Sequence, residues 1–229
     1  MVGAGALGCA AARTLAQAPG IAVTLVDPDH VELSNLQRQV LYVEADIGRL
    51  KVEAAAERLA RDFVRPVTAI AARFDVETGP ALLGGADLVI DATDDPDTKF
   101  LLGRLCNAAG LPSVYGGVVR TGGQWMLVDP GVSACLECVF PARGPENAEG
   151  CSALGVLAPV AGFVGCMQAF AALTFLLRPE RAHPGRLHVY ELGGARTRRL
   201  DIQPDDDCFC RPARATGART HEAHRRTAP

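Results

Sequence analysis

"MVGAGALGCAAARTLAQAPG" occupies residues 1–20, and its reading decides the fold. Gly3, Gly5 and Gly8 make a GxGxxG turn, and "ALGCAAARTLAQA" behind it has helix-forming composition. Such a turn offers backbone N–H groups and the positive end of a helix dipole to a phosphate. Alone it is a weak signal, since a glycine turn also serves helix packing. The apolar run "IAVTLV" follows, and Asp27 stands at its end, 24 residues after Gly3. A carboxylate there can accept from ribose hydroxyls, as in any dinucleotide-binding unit. On these two features alone a nicotinamide-dependent oxidoreductase would be the favoured reading. Only Met1 and Val2 precede Gly3, so most of the strand that should feed the turn is missing, and the expectation is a truncated start.

Working outward, "GRLKVEAAAERLARDF" lies in a predicted amphipathic helix over 47–63. "VTAIAARF" (67–74) alternates as a strand, and "ADLVIDAT" (86–93) is an apolar strand ending on acids. "TKFLLGRLCNAAG" (98–110) is helical and closes on glycine. "PSVYGGVV" and "GQWMLVD" read as two strands joined by a glycine turn. This alternation predicts an α/β fold: a Rossmann-like, mostly parallel sheet with helices on both faces, followed by an antiparallel strand region toward the C-terminus. The domain is expected over 1–211, with 212–229, rich in Arg, Ala and Thr, as a disordered tail.

The chain has 229 residues, 48% hydrophobic and 21% charged, with a net charge of −3. That balance gives no electrostatic case for nucleic acid or an acidic membrane. The most apolar stretch, "LAPVAGFVGCMQAFAALTFLL" (157–177), contains Pro159 and Gln168 and reads as a buried helix, with a membrane span as the weaker alternative. No signal peptide precedes the fold. Eight cysteines without one point to a reducing compartment, the cytoplasm, and to metal or thiol chemistry.

The loop "VDPDHVELSNLQRQ" (26–39) carries more than a surface loop needs. Arg38 can stabilise polyphosphate charge, and Asn35 and Gln39 can hydrogen-bond its oxygens. Lys51 can add a second positive charge, although a solvated helix face is the plainer reading of it alone. A nicotinamide site holds only a pyrophosphate, so this set tilts the choice toward a triphosphate. In "DATDD" (91–95) Asp94 can hold Mg²⁺, while Asp95 and Asp97 read as helix caps. Cys135 and Cys138 form CxxC, and Cys208 and Cys210 form CxC; two such pairs suit a four-thiolate zinc site. Cys151 stands in a polar stretch as a candidate nucleophile or an inert thiol. Cys9, Cys106 and Cys166 fall in helical apolar patterns and read as core.

Together "GAGALG", "VDPDHVELSNLQRQ", "GRLKVEAA", "DATDD", "YGGVVRTGGQ", "CLECVFP" and "GCSALGVLAP" resemble the ThiF/MoeB/HesA family, relatives of ubiquitin-activating enzymes, from Gly3 to about residue 212. The resemblance implies ATP–Mg²⁺-dependent adenylation of the C-terminal Gly-Gly carboxylate of a small ubiquitin-like sulfur-carrier protein, which is then thiolated for thiamine, molybdopterin or a related product. It implies Gly3, Gly5 and Gly8 at the nucleotide turn and Asp27 on the ribose. Asn35, Arg38 and Lys51 would meet the phosphates, and Asp94 the Mg²⁺. Cys135, Cys138, Cys208 and Cys210 would hold zinc, and Cys151 would take part in sulfur handling. It further implies a homodimer and, with no rhodanese-like extension, a separate sulfur donor. Lys99 departs from the family's arginine, and CxC departs from its second CxxC. A degenerate, non-catalytic carrier-binding scaffold is the third reading.

Overall fold

The computed structural model describes residues 1–63, 67–140 and 155–210. Cys151 and the expected tail therefore lie outside the described residues. In chain order the elements are α1 (Ala6–Ala16), β1 (Val23–Val26), α2 (Lys51–Asp62), β2 (Val67–Ile70), α3 (Gly79–Leu82) and β3 (Val89–Asp91). Then come α4 (Pro96–Ala109), β4 (Ser113–Val119), β5 (Gly122–Val128), α5 (Leu136–Val139), α6 (Ala158–Leu177), β6 (Arg186–Glu191) and β7 (Arg196–Asp201).

The sheet forms around Val2. This residue bridges Val26 of β1 on one side and Asp91 of β3 on the other, both in parallel. The Val2 N–H donates to the Ile90 carbonyl at 3.0 Å, and the Gly3 N–H to Val26 at 2.8 Å. The Val2 N–H and C=O both serve β3, the carbonyl accepting from the Ala92 N–H at 2.8 Å, while the Met1 carbonyl and the Gly3 N–H serve β1, because the polar groups of successive strand residues point to opposite edges. The expected gap at this point is thus bridged. The order is β2-β1-Val2-β3-β4-β5-β6-β7. The strands through β4 run parallel, and β5, β6 and β7 run antiparallel. The chain reverses its direction of travel across the sheet between Val2 and β3, which is where open α/β sheets bind ligands.

Helices α1, α2 and α6 share one apolar core over β1 and β4. On the other face Val2 and Val89 of β3 pack with Phe74 and Leu83 and with Leu102 and Cys106 of α4. The longest apolar helix, α6, buries Val160, Ala161, Val164, Gly165 and Ala169 against α1, β4 and β5. It is long and apolar enough to cross a membrane, and here it is a packing helix. Gly165 lets it approach the α1 backbone, since a side chain there would collide with the Leu7 carbonyl.

Three elements are shorter than the sequence predicts. The helix expected from 47 begins at Lys51, because Gly48 adopts φ +86° and Leu50 is not helical. The strand expected over 67–74 ends at Ile70, and that over 86–93 narrows to Val89–Asp91. Helix α4 has clear local causes: Asp95 caps it by accepting from the Thr98 N–H at 2.7 Å, Pro96 opens it, and Gly110 ends it at φ +64°.

Candidate functional site

The site is built on the carboxyl ends of Val2, β1 and β3. Gly3 takes φ +96°, and a Cβ there would sit 2.5 Å from the Ala92 carbonyl oxygen. Only glycine allows the turn to pass this close to the end of β3. Gly8 is equally constrained by the Gly3 carbonyl. Gly5 differs: its nearest neighbour for an added Cβ is the Gln39 amide nitrogen at 3.8 Å, so its face is open. The N-cap of α1 is Gly5, which has no side chain to cap it, so among the described residues the N–H groups of the first turn are left for an anion.

Asp27 organises the floor. It is buried, and its carboxylate accepts from the Ala4 N–H at 2.7 Å and the Asp29 N–H at 2.9 Å. Burial pushes its pKa up, opposed by those N–H groups and by Lys51. Tyr42 donates to the Ala4 carbonyl at 2.8 Å, and its burial drives its own pKa upward. The Cys9 thiol, buried under the same turn, is pushed up to about 12 by burial.

Lys51 corrects its plainer sequence reading. It is buried rather than solvated, and its ammonium lies 2.8 Å from Asp29. Arg38 is half-buried and held within its own loop, donating to Asn35 Oδ1 at 2.7 Å and to the Ser34 carbonyl at 3.2 Å. Asn35 in turn donates to Glu32 at 3.3 Å. Gln39 is buried beside the glycine turn, and its Oε1 has no partner among the described residues. The Gln39 amide nitrogen is the group nearest Gly5, and the buried oxygen beside it is a polar atom that the described residues leave unsatisfied.

Asp94 is exposed on the turn after β3. The turn itself is fixed from below by residues that sequence reading did not connect. Asp91 accepts from Thr93 Oγ1 at 2.7 Å and pairs with buried Lys99. From the opposite side Gln168 of α6 donates to the carbonyls of Asp91 at 2.6 Å and Val114 at 3.2 Å. Gly116 leaves the space this amide fills. A lone glutamine in an apolar helix is the sequence signal that could have pointed to Gln168.

Cys135, Cys138, Cys208 and Cys210 come together with all four sulfurs within 4.8 Å of one another. The Cys135–Cys208 and Cys138–Cys210 sulfurs lie 3.5 and 3.4 Å apart. Tetrahedral thiolates at ~2.3 Å from a metal would stand ~3.8 Å apart, so the cluster fits an ion with small adjustments. Burial raises the Cys210 thiol to about 11 and the Cys135 thiol higher. Burial opposes ionisation of Cys138 as well, yet its pKa is held low, largely by the Asp205 N–H at 3.4 Å. Cys9 and Cys106 are core as expected, but Cys166 is exposed on α6, where Thr14 donates to it at 3.5 Å.

Comparison with known proteins agrees with this architecture. The ThiF family matches residues 1–210. The chain is 36% identical over 215 residues to the SAMP-activating enzyme E1 of Haloferax volcanii, covering 91% of this chain and 77% of the relative. It is 35% identical over 212 residues to the molybdopterin-synthase adenylyltransferase of Escherichia coli, covering 91% and 84%. It spans 42% of the adenylyltransferase and sulfurtransferase uba4 of Aspergillus terreus, at 36% identity over 202 residues and 83% of this chain. A crystal structure of E. coli MccB with ATP shares the fold at TM-score 0.77 and 22% identity, covering 92% of this chain and 65% of that one. The chain belongs to the ThiF family.

Proposed function

We infer that this chain adenylates the C-terminal Gly-Gly carboxylate of a small ubiquitin-like sulfur-carrier protein, using ATP and Mg²⁺, before the carrier is thiolated. The observation that carries the reading is one continuous set of contacts at the switch-point crevice. It links the uncapped start of α1 to Asp27 through Ala4, Asp27 to Asp29, and Asp29 to Lys51. In this reading Gly3, Gly5 and Gly8 admit the phosphates, and Asp27 accepts from the ribose. Asn35, Arg38, Gln39 and Lys51 bind triphosphate oxygens, and Asp94 takes Mg²⁺. Four thiolates, from Cys135, Cys138, Cys208 and Cys210, hold a structural zinc ion.

The chemistry needs positioning and charge more than proton transfer. A carboxylate oxygen of the carrier attacks the α-phosphorus. The bond from that phosphorus to the bridging oxygen breaks, and pyrophosphate departs with the electron pair. The attacking group is already ionised at neutral pH, so no general base is required. Gln39 and the glycine turn orient the phosphate chain, and Arg38 and Lys51 balance the charge that builds on the leaving group. Cys151 handles sulfur afterwards, with the sulfur coming from a separate donor. The enzyme works in the cytoplasm as a homodimer.

The test is Mg²⁺-dependent ATP–pyrophosphate exchange with a panel of ubiquitin-like proteins ending in Gly-Gly. Exchange that appears only with such a carrier supports the reading. Tight NADH binding without ATP binding would restore the oxidoreductase, and ATP-free carrier binding would favour a scaffold.

A further inference from the structure

Gln168 sits in the middle of α6 with no exposed surface. The other buried positions of this helix hold valine, alanine or glycine. Such residues pack a helix on a sheet without burying a polar group, so a buried amide needs a cause of its own. The Gln168 Nε2 donates to the carbonyls of Asp91 at 2.6 Å and Val114 at 3.2 Å, one from each of the paired strands β3 and β4. Two carbonyl acceptors fix which way the amide points, because only its nitrogen can donate. Its Oε1 is then left without a partner among the described residues, and a buried, unpaired oxygen works against stability. Packing of α6 on the sheet does not account for a group kept at that cost.

What the amide holds is the start of the turn that carries Asp94. Strand β3 ends at Asp91, whose carbonyl Gln168 takes from the α6 face of the sheet. The Asp91 carboxylate accepts from the Thr93 N–H at 3.1 Å and Oγ1 at 2.7 Å, and pairs with Lys99 at 3.3 Å. The Ala92 N–H donates to the Val2 carbonyl at 2.8 Å, and Asp95 accepts from the Thr98 N–H at 2.7 Å. The Ala92 carbonyl also stands against Gly3, so the same turn bounds the glycine turn. Between these anchors Asp94 is exposed and makes no hydrogen bond or ion pair among the described residues. A free carboxylate on a turn tied down on both sides is held in place before any cation arrives, which lowers the reorganisation needed to bind one.

We propose that Gln168 is a positioning residue for adenylation: from α6 it fixes the end of β3 so that Asp94 is set to meet the Mg²⁺ of the bound nucleotide. It touches neither nucleotide nor metal and acts through the Asp91 carbonyl. Groups that orient a metal ligand in this way commonly change metal affinity by about 10–100-fold when removed. This rests on the adenylation reading above, since it concerns how that reaction's metal ligand is placed. Methionine at 168 would match the length of the side chain without its donor. Asparagine would keep an amide too short to reach both carbonyls.

Two measurements on the full chain test it. In the first, Mn²⁺ stands in for Mg²⁺, and free Mn²⁺ is followed by electron paramagnetic resonance as the protein is titrated in the presence of α,β-methylene ATP. Gln168→Met should weaken Mn²⁺ binding about tenfold, and by no less than about threefold. In the second, the Mg²⁺ concentration that half-saturates pyrophosphate exchange should rise by the same factor, with the rate at saturating Mg²⁺ little changed. A helix tie alone would lower the rate at every Mg²⁺ concentration, through a smaller folded fraction, and leave the midpoint where it was. Adding Gln168→Met to Asp94→Asn should leave Mn²⁺ binding within about twofold of Asp94→Asn alone, since the effect runs through Asp94. Should Gln168→Met not fold, Gln168→Asn takes its place with the same expected shift. A shift below threefold overturns the proposal, and so does an undiminished shift in the Asp94→Asn background. Absence of exchange by the wild type with every carrier sinks the adenylation reading itself; the Mn²⁺ titration needs no carrier and reads Gln168 separately.

Discussion

The Lys99 ammonium lies 3.3 Å from both carboxylate oxygens of Asp91, and both residues are buried. The same ammonium donates to the Gly116 carbonyl at 2.6 Å and lies 5.4 Å from the Tyr115 ring centre. One point charge thus joins the start of α4, the end of β3 and the middle of β4, one residue beyond its pairing with β3. The family's arginine would bring a planar fork to this place; a lysine meets three oxygens by converging on them.

Breaking this pair leaves a buried charge uncompensated. Lys99→Met is expected to lower stability by about 3–5 kcal/mol. Urea unfolding of Lys99→Met, Asp91→Asn and the double variant checks it, the double costing clearly less than the sum.

Among the described residues Arg38 bonds to Ser34 and Asn35 of its own loop. Arg38→Ala should therefore change stability by no more than about 0.5 kcal/mol. Pyrophosphate exchange should fall at least a hundredfold in the same preparation. Circular dichroism melts beside exchange rates separate the two effects, and a wild-type rate would remove Arg38 from the phosphate site.

The four-cysteine cluster predicts about one zinc ion per chain by elemental analysis of protein purified without chelator. Cys138→Ser and Cys210→Ser should each lose most of that metal and lower the melting temperature. Metal content that survives both changes would place the ion elsewhere.

His188 stacks on Trp125, with ring centres 4.8 Å apart and planes 8° from parallel. Burial first, then Arg199 and Arg186, hold its pKa below 6.5. The folded chain therefore binds this proton less readily than the unfolded chain. The stabilising contribution is complete above pH 6.5 and is lost as pH falls through the lower folded value. Trp125 is the chain's single tryptophan, so its fluorescence should quench with a midpoint below 6.5. Arg199→Glu should move the midpoint upward, and His188→Gln should abolish the transition.

Much of this was legible in the sequence because it is local. GxGxxG with Asp27 named the turn, the apolar runs named the strands, and CxxC with CxC named the sulfur cluster. What sequence reading missed depends on pairs far apart in the chain. The link between Lys99 and Gly116 crosses from helix to sheet, and Gln168 reaches Asp91 over 77 positions. Neither has a periodicity to betray it. Lys51 looked like a surface residue because its helix is amphipathic, yet it is buried and pairs with the exposed Asp29 across 22 positions. Cys166 looked like core because α6 is apolar nearly all round, a composition that hides which side faces out. Roles for Asp94, Cys151 and the phosphate-loop residues come from the family resemblance.

The sulfur cluster has a topological effect beyond local stability. Cys138 and Cys208 are 70 positions apart (208 − 138), and α6, β6 and β7 lie between them. An ion bound to all four thiolates would turn that stretch into a closed ring. Restricting so long a loop in the unfolded chain is worth about 4–5 kcal/mol by the entropy argument used for cross-links. The ring would also hold β7 and the long packing helix in one circuit. A single peptide-bond cut anywhere within it would then leave two fragments still tethered through the metal, and only chelation would release the tether.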